Sequence, residues 1–193
     1  ALLVSAMKSR LSRYAAMTEM PRLDSIPFES EYQYMATLHK NTKSENNVVY
    51  VKGSVESILA RCSKMLLSTG EVVSLNANSC IAASDIFAKR GLRVLAFAFL
   101  TVNKSKTDIS HADIDKNLVF LGLQAMIDPP RSEVIQAIQT CHNAGIKVKM
   151  ITGDHELTAL AIAQLIGIAG NSQNLKELQV LNGKRIAELS DQE

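Results

Sequence analysis

Apolar and polar positions along this chain fall into short periodic blocks. Residues 1–20, opening on "ALLVSAMKSRL", carry the spacing of an amphipathic helix that ends before Pro21. "PRLDSIPFESE" holds two prolines and reads as a loop. "YQYMATLH" and "VVYVKG" predict two strands, and the polar, turn-rich "KNTKSENN" between them predicts a hairpin. "SVESILARC" follows as a short helix with Ser54 as its N-cap. Residues 79–90 predict a helix up to Gly91, "LRVLAFAFL" a buried strand, and "VNKSKTDISHADID" a polar excursion.

From Leu118 the texture changes to alternating strand and helix. "LVFLGLQAMI" predicts a strand. "SEVIQAIQTCHNA" predicts a helix with Val134, Ile138 and Cys141 on one face. "GIKVKMI" predicts a strand, and His155 to Ile166 a helix ending at Gly167; "LQVL" and "KRIAELS" continue the alternation. Strands alternating with helices imply a parallel sheet, whereas the mixed hairpins and helices of the first two-thirds imply an antiparallel α+β domain. The fold class is therefore α/β, in two units that meet near "DPPR". Pro129 and Pro130 fix φ and restrict the residue before them, so the stretch reads either as a stiff hinge or as an ordinary loop.

Composition narrows the functional classes. The 193 residues include 21 Lys plus Arg and 19 Asp plus Glu, a net charge of only +2. That balance argues against a dedicated nucleic-acid or anionic-membrane surface, so anion chemistry must come from a few placed residues. Cys62, Cys80 and Cys141 are far apart and lack metal-ligand spacing, which fits a reducing compartment and predicts no metal site. No run approaches the ~18 apolar residues of a membrane helix. No signal peptide is visible, and a start inside an apolar helix-like stretch suggests a piece of something longer.

The candidate chemistry sits where strands end. "KVKMITGDHELTALAIAQLIGI" places Thr152, Gly153 and Asp154 between a strand and a helix. Backbone N–H groups and the helix dipole favour an anion there, Gly153 permits close approach, and Thr152 offers a hydroxyl. The alternative is plain capping, with Asp154 as the N-cap. Phe28 precedes a strand, where its face could stack on a base or join the core. Lys52 and Gly53 end a strand before a helix, where the lysine could reach a phosphate, lie along a base or be solvated. Arg93 opens an apolar strand and calls for an anionic partner, a carboxylate or a ligand.

The succession "IPFESEYQYM", "YVKGSVE", "KRGLRVLAFA", "LGLQAMIDPPR", "AGIKVKMITGDH" and "TALAIAQLIGI" closely resembles the cytoplasmic part of a P-type ATPase of the calcium-transporting kind, over nearly the whole chain. The resemblance implies a nucleotide-binding domain, N-terminally truncated, over residues 1–127 and a hinge at Asp128, Pro129, Pro130 and Arg131. Residues 132–193 would then be part of a phosphorylation domain with a Rossmannoid, haloacid-dehalogenase-like fold. It implies that Phe28 stacks on adenine, Lys52 of the "KG" pair with Gly53 lines the adenine pocket, and Arg93 reaches the phosphates of ATP. Thr152, Gly153 and Asp154 would meet the transferring phosphoryl group. The cofactors implied are ATP and, in the complete protein, Mg²⁺. The partner implied is a cation carried by the full-length membrane pump, with this soluble part on its cytoplasmic face.

Two departures from the family pattern stand out. Gln33 occupies the place, five residues after Phe28, where a lysine is often found. "KGSVE" replaces "KGAPE", which predicts a looser strand-to-helix turn at Ser54 and Val55. The chain also carries neither "DKTGT", whose aspartate takes the phosphate, nor "GDGVND", which holds Mg²⁺. The fragment alone is therefore expected to be inactive. The alternatives are a free-standing phosphatase of the dehalogenase class, which needs a nucleophilic Asp in its own context, and a non-catalytic nucleotide-binding or interaction module.

Overall fold

A computed structural model of the chain describes residues 2–127, 129–168, 180–181 and 183–188. Two short helices come first, α1 (Leu2–Lys8) and α2 (Arg13–Glu19), where one helix is predicted. Arg10 takes φ +60°, and that left-handed residue ends α1. Ser12 then starts α2 afresh, its hydroxyl accepting from the Ala15 amide at 3.3 Å.

The predicted loop at "PRLDSIPFESE" is instead a strand, β1 (Arg22–Glu29). It lies at the edge of the sheet, where Pro27 costs no ladder hydrogen bond. β2 (Tyr34–His39) and β3 (Asn46–Gly53) form the expected hairpin, followed by α3 (Val55–Leu59). A second hairpin, β4 (Cys62–Leu66) and β5 (Val72–Ser74), went unread in the sequence. Its signal was Thr69-Gly70 between two short apolar runs, with Gly70 at φ +88°. Helix α4 (Ala77–Ala88) precedes the long strand β6 (Arg93–Asn103); a 3-10 turn at His111–Ile114 leads to β7 (Leu118–Met126).

These strands make one seven-stranded sheet in the order β1-β2-β3-β6-β7-β4-β5. It is mixed, not antiparallel as predicted, because β4 pairs parallel to β7. Register decides its two faces. Ile26, Ala36, Val51 and Ala98 are cross-strand partners and all are buried. With Leu38, Val49, Leu118 and Phe120 they pack against Val55, Ile58 and Leu59 of α3. The alternate positions Met35, Lys52 and Phe97 are also cross-strand partners, and they lie on the opposite face.

The chain divides into two compact units, Ala1–Ser84 with Val94–Met126, and Asp85–Arg93 with Ile127–Glu193. The second contains α5 (Ser132–Asn143), α6 (Glu156–Leu165) and α7 (Gly183–Glu188). Among the described residues, "GIKVKMI" is not a strand, and no residue after Met126 pairs in a sheet. Apolar alternation makes a strand only where a neighbour supplies the ladder. Of the two predicted elements near the C-terminus, "KRIAELS" begins within α7, and the first two residues of "LQVL" lie outside the described residues. Gly91, at φ +76°, turns the chain after α4, and Thr158 of α6 donates its hydroxyl to Leu92 O at 3.2 Å.

Candidate functional site

In the first unit, Phe28 sits in a bulge. Between the pairs Ile26↔Ala36 and Glu29↔Tyr34, β1 spends two residues, Pro27 and Phe28, against one of β2, Met35. A bulge releases a side chain from strict alternation, and Phe28 is 61% exposed where a core phenylalanine would be covered. Lys52 is half-buried, with Met35 directly opposite on β2 and Phe97 opposite on β6. Strand β2 thus separates Phe28 from Lys52. Met35 and Phe97 escaped the sequence reading; each lies in a correctly predicted strand, but only register puts them beside Lys52.

Gly53 has a packing reason to be glycine. A Cβ there would overlap the Gln33 carbonyl oxygen and come within 2.7 Å of Tyr34 Cβ. The Ser54 amide donates to that same carbonyl at 2.9 Å. The Ser54 hydroxyl donates to Gln33 Oε1 at 3.2 Å and accepts from the Ser57 amide at 3.2 Å, capping α3 as predicted. The turn at "KGSV" is therefore held and not loosened: its serine bonds to Gln33, the other departure from the family pattern.

In the second unit, Arg93 and Asp154 meet although they are 61 positions apart in sequence. Arg93 Nε donates to Asp154 Oδ1 at 2.8 Å, and Nη2 donates to the same oxygen. The other carboxylate oxygen accepts from Thr152 Oγ1 at 3.0 Å, and that hydroxyl accepts from the Asp154 amide at 3.1 Å. The Arg93 side chain is 66% exposed and that of Asp154 only 16%, so the guanidinium keeps a face toward solvent. Asp154 is not the cap of α6. His155 takes that place, its Nδ1 accepting from the Leu157 amide at 3.4 Å. Gly153 stands open, since a Cβ there would meet nothing within 4 Å. Packing does not demand this glycine, in contrast to Gly53.

Of the predicted hinge, Asp128 lies outside the described residues, Pro129 and Pro130 have no regular structure, and Arg131 stands at the N-cap of α5. Among the described residues, no group of three or more His, Cys, Asp or Glu could hold a metal ion. Among them, too, no helix is long and apolar enough to cross a membrane.

The family model for the P-type ATPase cytoplasmic domain N matches residues 1–133. The chain belongs to the P-type ATPases. It is 50% identical over its whole length to the cation-transporting ATPase pma1 of Synechocystis sp., covering 21% of that protein. It is 39% identical over 89% of its length to calcium-transporting ATPase 1 of Bacillus cereus, covering 19% of that protein. To the human sodium/potassium-transporting ATPase subunit alpha-4 it is 38% identical over 85% of its length, covering 17% of that protein. The chain thus spans about a fifth of the length of the P-type ATPases it matches. Family membership and the mixed α/β sheet agree with the expectation of a P-type nucleotide-binding domain.

Proposed function

We propose that this chain is the ATP-binding cytoplasmic part of an ATP-driven cation pump. The observation that carries the proposal is the exposure of Phe28 on β1 together with the half-buried Lys52 on β3, on either side of β2, which Gly53 approaches closely at Tyr34. An aromatic face left in solvent is costly for a core residue and useful for a base. In this reading the base of ATP stacks on Phe28, and Lys52 and Gly53 line its pocket. Arg93 contacts the phosphates through the guanidinium edge that Asp154 does not occupy. Thr152, Gly153 and Asp154 position the transferring phosphoryl group. The open space at Gly153 supports that role, because a phosphate must approach the backbone closely.

Residues 128–131 are then a hinge, and residues 132–193 are part of a haloacid-dehalogenase-like phosphorylation domain. Mg²⁺ supplies charge neutralisation at the phosphoryl group in the complete protein. The calcium type is the narrower proposal, supported by the calcium-transporting relatives. Stimulation of ATP hydrolysis by Ca²⁺ in the complete protein, against Na⁺ or K⁺, decides it.

The chain alone makes no phosphoenzyme, because neither the nucleophilic aspartate's context nor the metal-binding motif is in its sequence. Incubation with γ-labelled ATP and Mg²⁺, acid quench and electrophoresis should show no label. Acid-stable, hydroxylamine-sensitive label would sink this part of the proposal and favour a free-standing phosphatase. ATP binding itself is tested by amide shifts of Phe28, Lys52 and Arg93. One aromatic stack at roughly 1–3 kcal/mol and one charged contact of similar size sum to a Kd on the order of millimolar. No shifts at ~10 mM ATP, well above that Kd, would favour a module that has lost its ligand.

A further inference from the structure

Gln33 lies just before β2, at a corner where it bonds both to the end of β1 and to the residue that follows β3. Its amide donates to Glu29 O at 2.8 Å, closing the turn that follows Phe28 and Glu29. Its carbonyl accepts from the Ser54 amide at 2.9 Å, and its side-chain oxygen accepts from the Ser54 hydroxyl at 3.2 Å. Its backbone is left-handed, at φ +58°. The missing Cβ of Gly53 makes room for its carbonyl. One residue earlier, Tyr32 O accepts from the Ser57 hydroxyl at 2.8 Å, so the first turn of α3 is tied to this corner twice.

We propose that Gln33 is a positioning residue for the nucleotide pocket. Through its backbone it holds the end of β1 that carries Phe28. Through its carbonyl and its amide side chain it holds the residue that follows Lys52 and Gly53. It sets the spacing of the two base-binding side chains and does not contact the ligand. A long polar side chain beside a pocket is more often read as a contact. Here Ser54 engages its oxygen, and the Ser54 hydroxyl is itself fixed by capping α3. The inference rests on the reading of Phe28 and Lys52 as the base site.

The test uses the 193-residue chain with adenosine and ATP as probes. Gln33→Ala and Ser54→Ala should each weaken both probes by the same factor, about two- to fivefold, the worth of one modest hydrogen bond. The double variant should lose no more than the larger single, because both remove one link. Ser54→Thr keeps the hydroxyl and should restore binding. In the unliganded chain the Lys52 amide resonance should move in Gln33→Ala, although the two residues are 19 positions apart. A loss confined to ATP would show Gln33 on the phosphates and overturn the proposal. So would a silent Ser54→Ala beside an affected Gln33→Ala. If the wild-type chain binds neither probe, the base-site reading fails. An unmoved Lys52 amide refutes the Gln33 link on its own.

Discussion

Replacing Gly53 by alanine puts a methyl group in place of a hydrogen at a point where the sheet has no room for it. The new Cβ would overlap Gln33 O and lie 2.7 Å from Tyr34 Cβ and 2.9 Å from Tyr34 Cα. Neither neighbour gives way easily. Tyr34 is 1% exposed, its hydroxyl pairs with His111 Nδ1 at 2.7 Å, and the Arg61 guanidinium lies 4.7 Å over its ring. Gln33 is held by its own backbone bonds to Glu29 and Ser54. Overpacking of this kind costs about 1–3 kcal/mol, and easing β2 from β3 sacrifices one or two hydrogen bonds at about 1 kcal/mol each. Alanine returns up to about 1 kcal/mol by stiffening the unfolded chain. The net is a loss of about 3 kcal/mol, or about 6–12 °C in a chain of this size. Thermal and urea unfolding followed by circular dichroism measure it. Gly153→Ala is the control, since nothing lies within 4 Å of its Cβ; its stability should stay within about 0.5 kcal/mol of wild type. A Gly53→Ala melting temperature within about 2 °C of wild type, far below the size-scaled shift, would refute the packing argument. Lost ATP binding at unchanged stability would assign Gly53 to the ligand instead.

Phe28→Ala should leave stability within about 1 kcal/mol, against the 3–5 expected of a buried phenylalanine. It should weaken ATP by the roughly 1–3 kcal/mol of a base stack, read by titration calorimetry or amide shifts. Acid should loosen the 106–113 segment. The Lys106 ammonium at 2.8 Å and the Ser110 amide hold Asp113 down to about 2. Its folded value lies below the unfolded one, so the stabilisation is complete above about pH 4 and is lost as pH falls toward 2. Screening limits it to about 1 kcal/mol, and Asp113→Asn should remove it from the pH-dependence of urea unfolding. Burial, with the neighbouring Cys80 adding to it, pushes the Cys62 thiol up to about 12. Native Cys62 should therefore alkylate with iodoacetamide at pH 8 about a thousandfold more slowly than in urea, because only the thiolate reacts. A native rate within tenfold of the denatured one would contradict that burial.

The elements with a complete signal inside ten or so residues were legible in the sequence. The β2–β3 hairpin, β6, β7, the Ser54 cap and helices α4, α5 and α6 each carry their own period and punctuation. Phe28, Lys52, Arg93 and Asp154 were legible as candidates because their residue types sit oddly at strand ends. What escaped depends on neighbours distant in the chain. β1 reads as a loop until β2 gives it a ladder at an edge that tolerates Pro27, and "GIKVKMI" reads as a strand although the described residues offer it none. One helix became two at Arg10, whose left-handed backbone no period announces.

The partnerships were decided by tertiary structure alone. Arg93 needed an anion on sequence grounds; only the packing of α6 brought Asp154 to it, with Leu92 held by Thr158. Lys52 was visible, but its place between Met35 and Phe97 comes from a register that a one-residue slip would invert. Gln33 and Ser54 looked like two separate departures, 21 positions apart, until the strands that carry them closed into one corner. A local pattern fixes what a residue's own backbone does within a few bonds. Which side chain it then meets depends on chain closure over tens of residues, and many buried contacts set that closure together.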